Sequence, residues 1–283
     1  MITLGAVFRP QFPPERLRDV ARAADESGLD QLWLWEDCFL ESGIAAASAA
    51  LAWTERLRVG IGLMPVPFRN AALTAMEIAT IERLFPGRFL PGVGHGVQDW
   101  MQQVGARVES PVTLLREHLL AMRALLAGET VTTQGRYVNL DKVALDWPPV
   151  SKPAVFAGAT GPRSIKLCGE AADGTILTAS TSVEGVREAR RLIDEGRATA
   201  GRTDKHEVVV YLLTATGPDA AERLNADPDA PGAGVAGDAG TVAEAVQRYA
   251  EAGADTVVLQ PTADEPDPEG FVRFVAESVR PRI

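Results

Sequence analysis

Short runs of consecutive apolar residues alternate along this chain with longer stretches in which apolar positions recur every three or four residues. The runs read as strands buried on both faces, and the stretches as helices with one buried face. Ile2–Phe8 is the first run. It precedes Glu15–Ser27, where Leu17, Val20, Ala21 and Ala24 share a helical face and Gly28 supplies the stop. Gln31–Trp35, Arg58–Leu63 and Arg88–Val93 continue the strands, and Ile44–Trp53 and Ala71–Leu84 the helices. A long helix follows, capped by Ser110, started by Pro111, buried along Leu115, Leu119, Met122 and Leu126, and ended by Gly128. The rhythm then breaks. Thr130–Thr133 and Arg136–Leu140 flank Gln134-Gly135 and predict a β-hairpin. Alternation resumes with strands Ala154–Ala157, Gly174–Leu177, Glu207–Ala215 and Thr256–Gln260, and helices Pro162–Glu170, Val183–Ala200, Val242–Ala252 and Glu269–Val279. Asp219–Gly240 reads mostly as loop, with a helical turn over Ala220–Leu224.

Eight strand–helix units with short joins predict parallel pairing through right-handed crossovers. A doubly wound dinucleotide fold would carry a glycine-rich fingerprint after its first strand; here that strand runs into Phe8-Arg9-Pro10. The expected fold is an α/β (β/α)8 TIM barrel, one domain over residues 1–283, with a small hairpin insertion between strands four and five.

In such a barrel the chemistry gathers at the C-terminal strand ends. The fifth strand ends in Gly158-Ala159-Thr160-Gly161-Pro162-Arg163, where small residues precede a helix whose N–H groups and dipole would face an anion such as a phosphate. A plain β-to-α turn is the alternative reading. Gly92–Gly96 lacks the spacing of a nucleotide fingerprint, but Gly94, His95 and Gly96 would let a flat ring approach. Glu36 and Asp37 close an otherwise apolar strand. Asp37 is the candidate proton carrier, and Glu36 suits a cap or salt bridge better. Of three histidines, His95 alone sits at a strand end; His118 lies in a helix and His206 opens a strand at the opposite end. Phe8, Cys38 and Gln260 complete the strand-end set as candidate substrate contacts.

Composition narrows the classes. A formal charge of −10 with no basic stripe argues against nucleic acid or an anionic membrane as partner. No apolar stretch reaches spanning length, the start lacks a signal-peptide pattern, and the two cysteines are far apart, so a cytoplasmic protein is expected. No strand-end His pair or His/Asp cluster calls for a metal, and no lysine falls on a strand end for Schiff-base chemistry. With so few acids, bases and nucleophiles, a cofactor should carry the reaction.

GLDQLWLWEDCF (28–39), RLRVGIGLMPVPFRN (56–70), ERLFPGRFLPGVGHG (82–96), VFAGATGPRS (155–164) and EAADGTILT (170–178) occur in an order and spacing that resemble the luciferase-like monooxygenase superfamily. Within it, the chain is similar to the branch using the deazaflavin coenzyme F420, which includes methylenetetrahydromethanopterin reductases. The likeness covers nearly the whole chain. It implies a third-strand bulge at Gly62, Leu63 and Met64, with a non-proline cis peptide at Gly62–Leu63 supporting the cofactor ring. It also implies Gly94–Gly96 beside that ring, Gly158–Gly161 as phosphate loop, Asp37 and His95 as catalytic candidates, and a homodimer. The activity implied is hydride transfer between F420 and a small organic substrate; an FMN-dependent monooxygenase and a non-catalytic flavin-binding scaffold are the alternatives. Departures are Cys38 where many relatives carry histidine, Val97 where the sugar-phosphate dehydrogenases carry an acid, and Pro91 in FLPGVG.

Overall fold

The computed structural model describes residues 2–228 and 234–283. Its main strands are β1 (Thr3–Val7), β2 (Gln31–Leu34), β3 (Arg58–Pro65), β4 (Phe89–Gly94), β7 (Phe156–Gly158), β8 (Gly174–Leu177), β9 (Glu207–Ala215) and β11 (Thr256–Pro261). They pair in parallel in the order β9-β11-β1-β2-β3-β4-β7-β8, and β8 pairs back to β9, closing an eight-stranded barrel. The excursion between β4 and β7 holds the antiparallel hairpin β5 (Val131–Gln134) and β6 (Asn139–Val143). Around the barrel lie α1 (Leu17–Glu26), α2 (Gly43–Trp53), α3 (Ala71–Leu84), α5 (Pro111–Leu126), α6 (Pro162–Ala171), α7 (Val183–Thr199), α8 (Ala220–Ala226), α9 (Ala239–Glu251) and α10 (Pro268–Arg273), the last running into a π-helical turn, Phe274–Val279.

Strand parity divides the core in two. Alternate residues of each strand face opposite sides. Val7, Trp33, Phe156, Ile176, Val209, Tyr211 and Val258 fill the barrel interior. Their neighbours Ala6, Leu32, Leu34, Val208, Val210, Val257 and Leu259 pack outward against the helices. Because both faces are buried, the strands read as unbroken apolar runs. Trp33 occupies the middle of the interior, edge-on to Phe156 and Tyr211 at 5.9 and 6.2 Å, with its Nε1–H donating to Gln31 Oε1 at 2.8 Å. A Cβ at Gly60 on β3 would lie 2.5 Å from this indole, so only glycine fits there.

Three local expectations differ from the structure. The hairpin turn is wider than Gln134-Gly135, because the Glu117 carboxylate on α5 accepts the N–H groups of Arg136, Tyr137 and Val138 at 2.8–2.9 Å and withdraws them from the ladder. A short helix, α4 (Gln98–Gln103), follows β4 although only Met101 of its residues is buried. In Asp219–Gly240 the helical turn extends to Ala226, β10 (Val235–Ala236) adds to β9, and Asp238 caps α9 earlier than expected by accepting from Thr241 N–H. Residues 229–233 of that loop lie outside the described residues.

Helices α6 and α7 meet backbone to backbone. A Cβ at Gly196 would lie 2.1 Å from the Lys166 carbonyl oxygen, and one at Gly169 2.2 Å from that of Ile193. Gly196→Ala should therefore destabilise the fold by roughly 2 kcal/mol, despite alanine's helix-propensity advantage of about 1 kcal/mol. Chemical denaturation checks this, and an unchanged or raised midpoint would contradict the close packing.

Candidate active site

The β2, β3, β4, β7, β8 and β11 ends open into one cavity of about 650 Å³, whose lining includes Tyr211, packed edge-on against Trp33. Tyr211 is wholly buried, and its hydroxyl donates to the Gly62 carbonyl at 3.3 Å. Burial pushes its phenol well above the usual range, so it stays a neutral donor. Trp35 stands 5.6 Å from Tyr211 and forms the adjoining wall. The β3–β4 register shifts between Ile61 and Met64, and the Gly62–Leu63 peptide inside that bulge is cis, as is Cys38–Phe39.

The Leu63 side chain sets the glycines around it. A Cβ at Gly158 would sit 2.3 Å from Leu63 Cδ2, and one at Gly94 2.4 Å from the same atom. Both glycines therefore answer to a side chain of the protein, before any ligand. Gly158, Ala159 and Thr160 line the cavity, as do Gly62, Leu63, His95 and Gly96. Gly161 lies just beyond the lining as N-cap of α6, with no side-chain cap and open space where a Cβ would point. Ser164, in the first turn of α6, hydrogen-bonds His95 Nε2 at 2.8 Å. Burial lowers the His95 pKa, with the Pro111 carbonyl opposing, although the buried Nδ1 has no partner of hydrogen-bond geometry. Its ring therefore joins the α6 end to the β4 turn, with neither nitrogen presented openly to the cavity.

The two acids after β2 have separate surroundings. Glu36 accepts from the Gly43 N–H at 2.8 Å, at the start of α2, and forms a two-pronged pair with Arg69. It caps and clamps. Asp37 lines the cavity. Beside it, Glu41 is pushed up to about 7 by burial and by the Asp37 charge. Arg9 is buried under the Trp35 ring at 5.6 Å, where it donates to Asp227 at 3.0 Å and to the Pro261 carbonyl at 3.1 Å.

Some sequence-based site candidates fall elsewhere. Phe8 has outward parity and packs on Phe12, ring centroids 5.6 Å apart, under the helices. Met64 likewise turns into the outer core after the bulge. Gly94 is buried under Leu63, and Cys38 is half-buried without lining the cavity. Gln260 does line it. Sequence reasoning passed over Tyr211, which is mid-strand rather than at a strand end, and Trp100, which lies on the unforeseen α4. It also passed over Ser164 and Ser180, the latter with its hydroxyl 2.8 Å from that of the strand-end Thr178.

The bulged third strand, the uncapped α6 end and the cavity gather at the strand ends, and comparison with known proteins assigns the family. The luciferase-like monooxygenase family model matches residues 3–227, and the chain belongs to that family. It is similar to 5,10-methylenetetrahydromethanopterin reductase of Methanolobus tindarius, 30% identical over 227 residues, covering 80% of this chain and 69% of the relative. An F420-dependent glucose-6-phosphate dehydrogenase of Microbacterium testaceum is 29% identical over 225 residues, covering 74% of this chain and 66% of the relative. Among solved structures, an F420-dependent secondary alcohol dehydrogenase with an F420-acetone adduct superposes with TM-score 0.89 at 22% identity, covering 100% and 99% of the two chains. The FMN complex of a type II Baeyer-Villiger monooxygenase from Pseudomonas putida does so at 0.79 and 18%, covering 100% and 99%.

Glu41 gives the site a pH signature. A carboxyl raised in the folded state contributes stability below its unfolded pKa and loses it as pH rises, here between about 4.5 and about 7. Glu41→Gln should match the wild type near pH 4 and exceed it by roughly 1 kcal/mol above pH 7, the full shift being discounted for partial exposure. Denaturation at the two pH values checks this; a constant difference would refute the raised Glu41 pKa.

Proposed function

We propose that the chain is an F420-dependent oxidoreductase acting on a small organic substrate. The observation that carries this is the uncapped α6 end beside Gly158–Thr160, on the same cavity as the Gly62–Leu63 bulge. These residues fit a cofactor with a flat ring and a phosphate. Gly161 leaves open the space a side chain would take, and among the described residues no side-chain cap closes the start of α6. Gly158–Gly161 and α6 would hold the phosphate, and Gly62, Leu63 and Gly96 the ring. The group supplies a hydride donor or acceptor when bound.

The protein's own residues do the rest. Tyr211 holds the Gly62 carbonyl and so the bulge that would support the ring. Trp35 and Trp100 exclude water along the wall. Asp37 exchanges the proton at the substrate oxygen that accompanies hydride gain or loss at the neighbouring carbon, and Glu41 beside it exchanges protons near neutrality. His95 acts as a positioning residue, pinning α6 through Ser164.

The same reading covers the surroundings. Leu73, Met76 and Leu84 leave an exposed apolar stripe on α3, which supports a homodimer. Among the described residues no helix is long and apolar enough to cross a membrane. The free Cys38 and Cys168 fit a reducing cytoplasm, and the net charge of −10 disfavours nucleic acid.

Titrating the protein with F420 and with FMN, followed by tryptophan fluorescence, tests the cofactor. Tight F420 binding is expected; FMN binding without F420 binding would favour the monooxygenase, and binding of neither the non-catalytic scaffold. Gly161→Asp adds a favourable N-cap while setting a carboxylate against the phosphate. It should weaken F420 binding by at least about tenfold without lowering Tm. Unchanged affinity would remove α6 from the site.

A further inference from the structure

Charge distinguishes what the two sides of the cavity can accept. Among the described residues lining it, none is lysine or arginine, and the ionisable ones are Glu36, Asp37, His95 and Tyr211. Burial keeps Tyr211 neutral and biases His95 the same way. Two cations lie behind the walls. Arg9 is buried under Trp35 and bound to Asp227, and Arg69 is bound to Glu36 and Glu77. A third, Arg163, belongs to the α6 turn assigned to the phosphate. Residues 229–233 read Asp-Ala-Pro-Gly-Ala and bring no base. Beyond the phosphate loop and Ile176, which pairs with Gly158, the lining includes Trp35, Val97, Trp100 and Pro228, with Asp37 and Gln260 as polar groups.

An anion entering this half would shed water against indole and aliphatic surface and meet carboxylates, with no lysine or arginine among the described lining residues to offset the cost. A neutral molecule incurs neither cost. We propose that the substrate half of the cavity takes an uncharged ketone or alcohol with a hydrocarbon or aromatic body and rejects carboxylates and phosphate esters. This rests on the oxidoreductase reading above, because it is the ketone or alcohol oxygen that Asp37 serves. It also separates this chain from the glucose-6-phosphate dehydrogenases among its relatives.

Ligand-observed NMR on the full chain, with and without F420, compares para-acetylbenzamide with the nearly isosteric para-acetylbenzoate. The amide is expected to bind at least about tenfold more tightly. Val97 lines the wall and is 47% exposed, so Val97→Lys can add an ammonium there and should narrow the gap. Equal binding, preference for the carboxylate, binding of neither, or a gap unmoved by Val97→Lys would overturn the proposal. The comparison made without F420 stands apart from the cofactor titration, so failure of one is distinguishable from failure of the other.

Discussion

Trp33 lies within the barrel, edge-on to Phe156 and to Tyr211, and through Tyr211 its packing reaches the lining of the cavity. Within the same inner cluster, Tyr211, Ile176 and Ala179 also line the cavity. The indole needs a glycine opposite it at Gly60, and it leaves the Tyr211 hydroxyl within reach of the Gly62 carbonyl. One large side chain thus couples the packing of the barrel to the shape of the bulge. Truncating it would open a void beside Tyr211.

A second constraint is the division of labour among charges. Neighbours on a strand end point to different surroundings, so Glu36 meets Arg69 and α2 while Asp37 meets the cavity. The buried Arg9–Asp227 pair ties the end of β1 to the end of α8, and it supports Trp35 from behind. These pairs neutralise charges that the aromatic wall could not tolerate alone. The cavity is left with a small set of polar groups on a largely apolar surface, which suits chemistry supplied by a bound group.

The barrel was legible in the sequence because strands buried on both faces leave unbroken apolar runs, and helices such as 111–126 leave a clear stripe. The site was legible only in part. Gly158 and His95 stand at strand ends, where their proximity follows from topology. Tyr211 could be found only by carrying strand parity round a closed barrel, and the same parity turns Phe8 outward. The hairpin boundary depended on Glu117, 19 to 21 positions away in sequence, and α4 carries too few buried residues to leave a pattern.

The bare end of α6 has a consequence beyond recognition. A helix start without a side-chain cap is incompletely satisfied by the protein itself, so an anion settling there would complete the fold as well as the proposed site. Binding to the native chain alone adds about 1.4 kcal/mol to stability for each tenfold rise in free ligand above Kd. A cell that makes little of the cofactor would then hold this protein closer to its unfolding threshold, and quality control would clear it sooner. Through that helix end, the supply of a small molecule would become a determinant of how long each copy of the protein lasts.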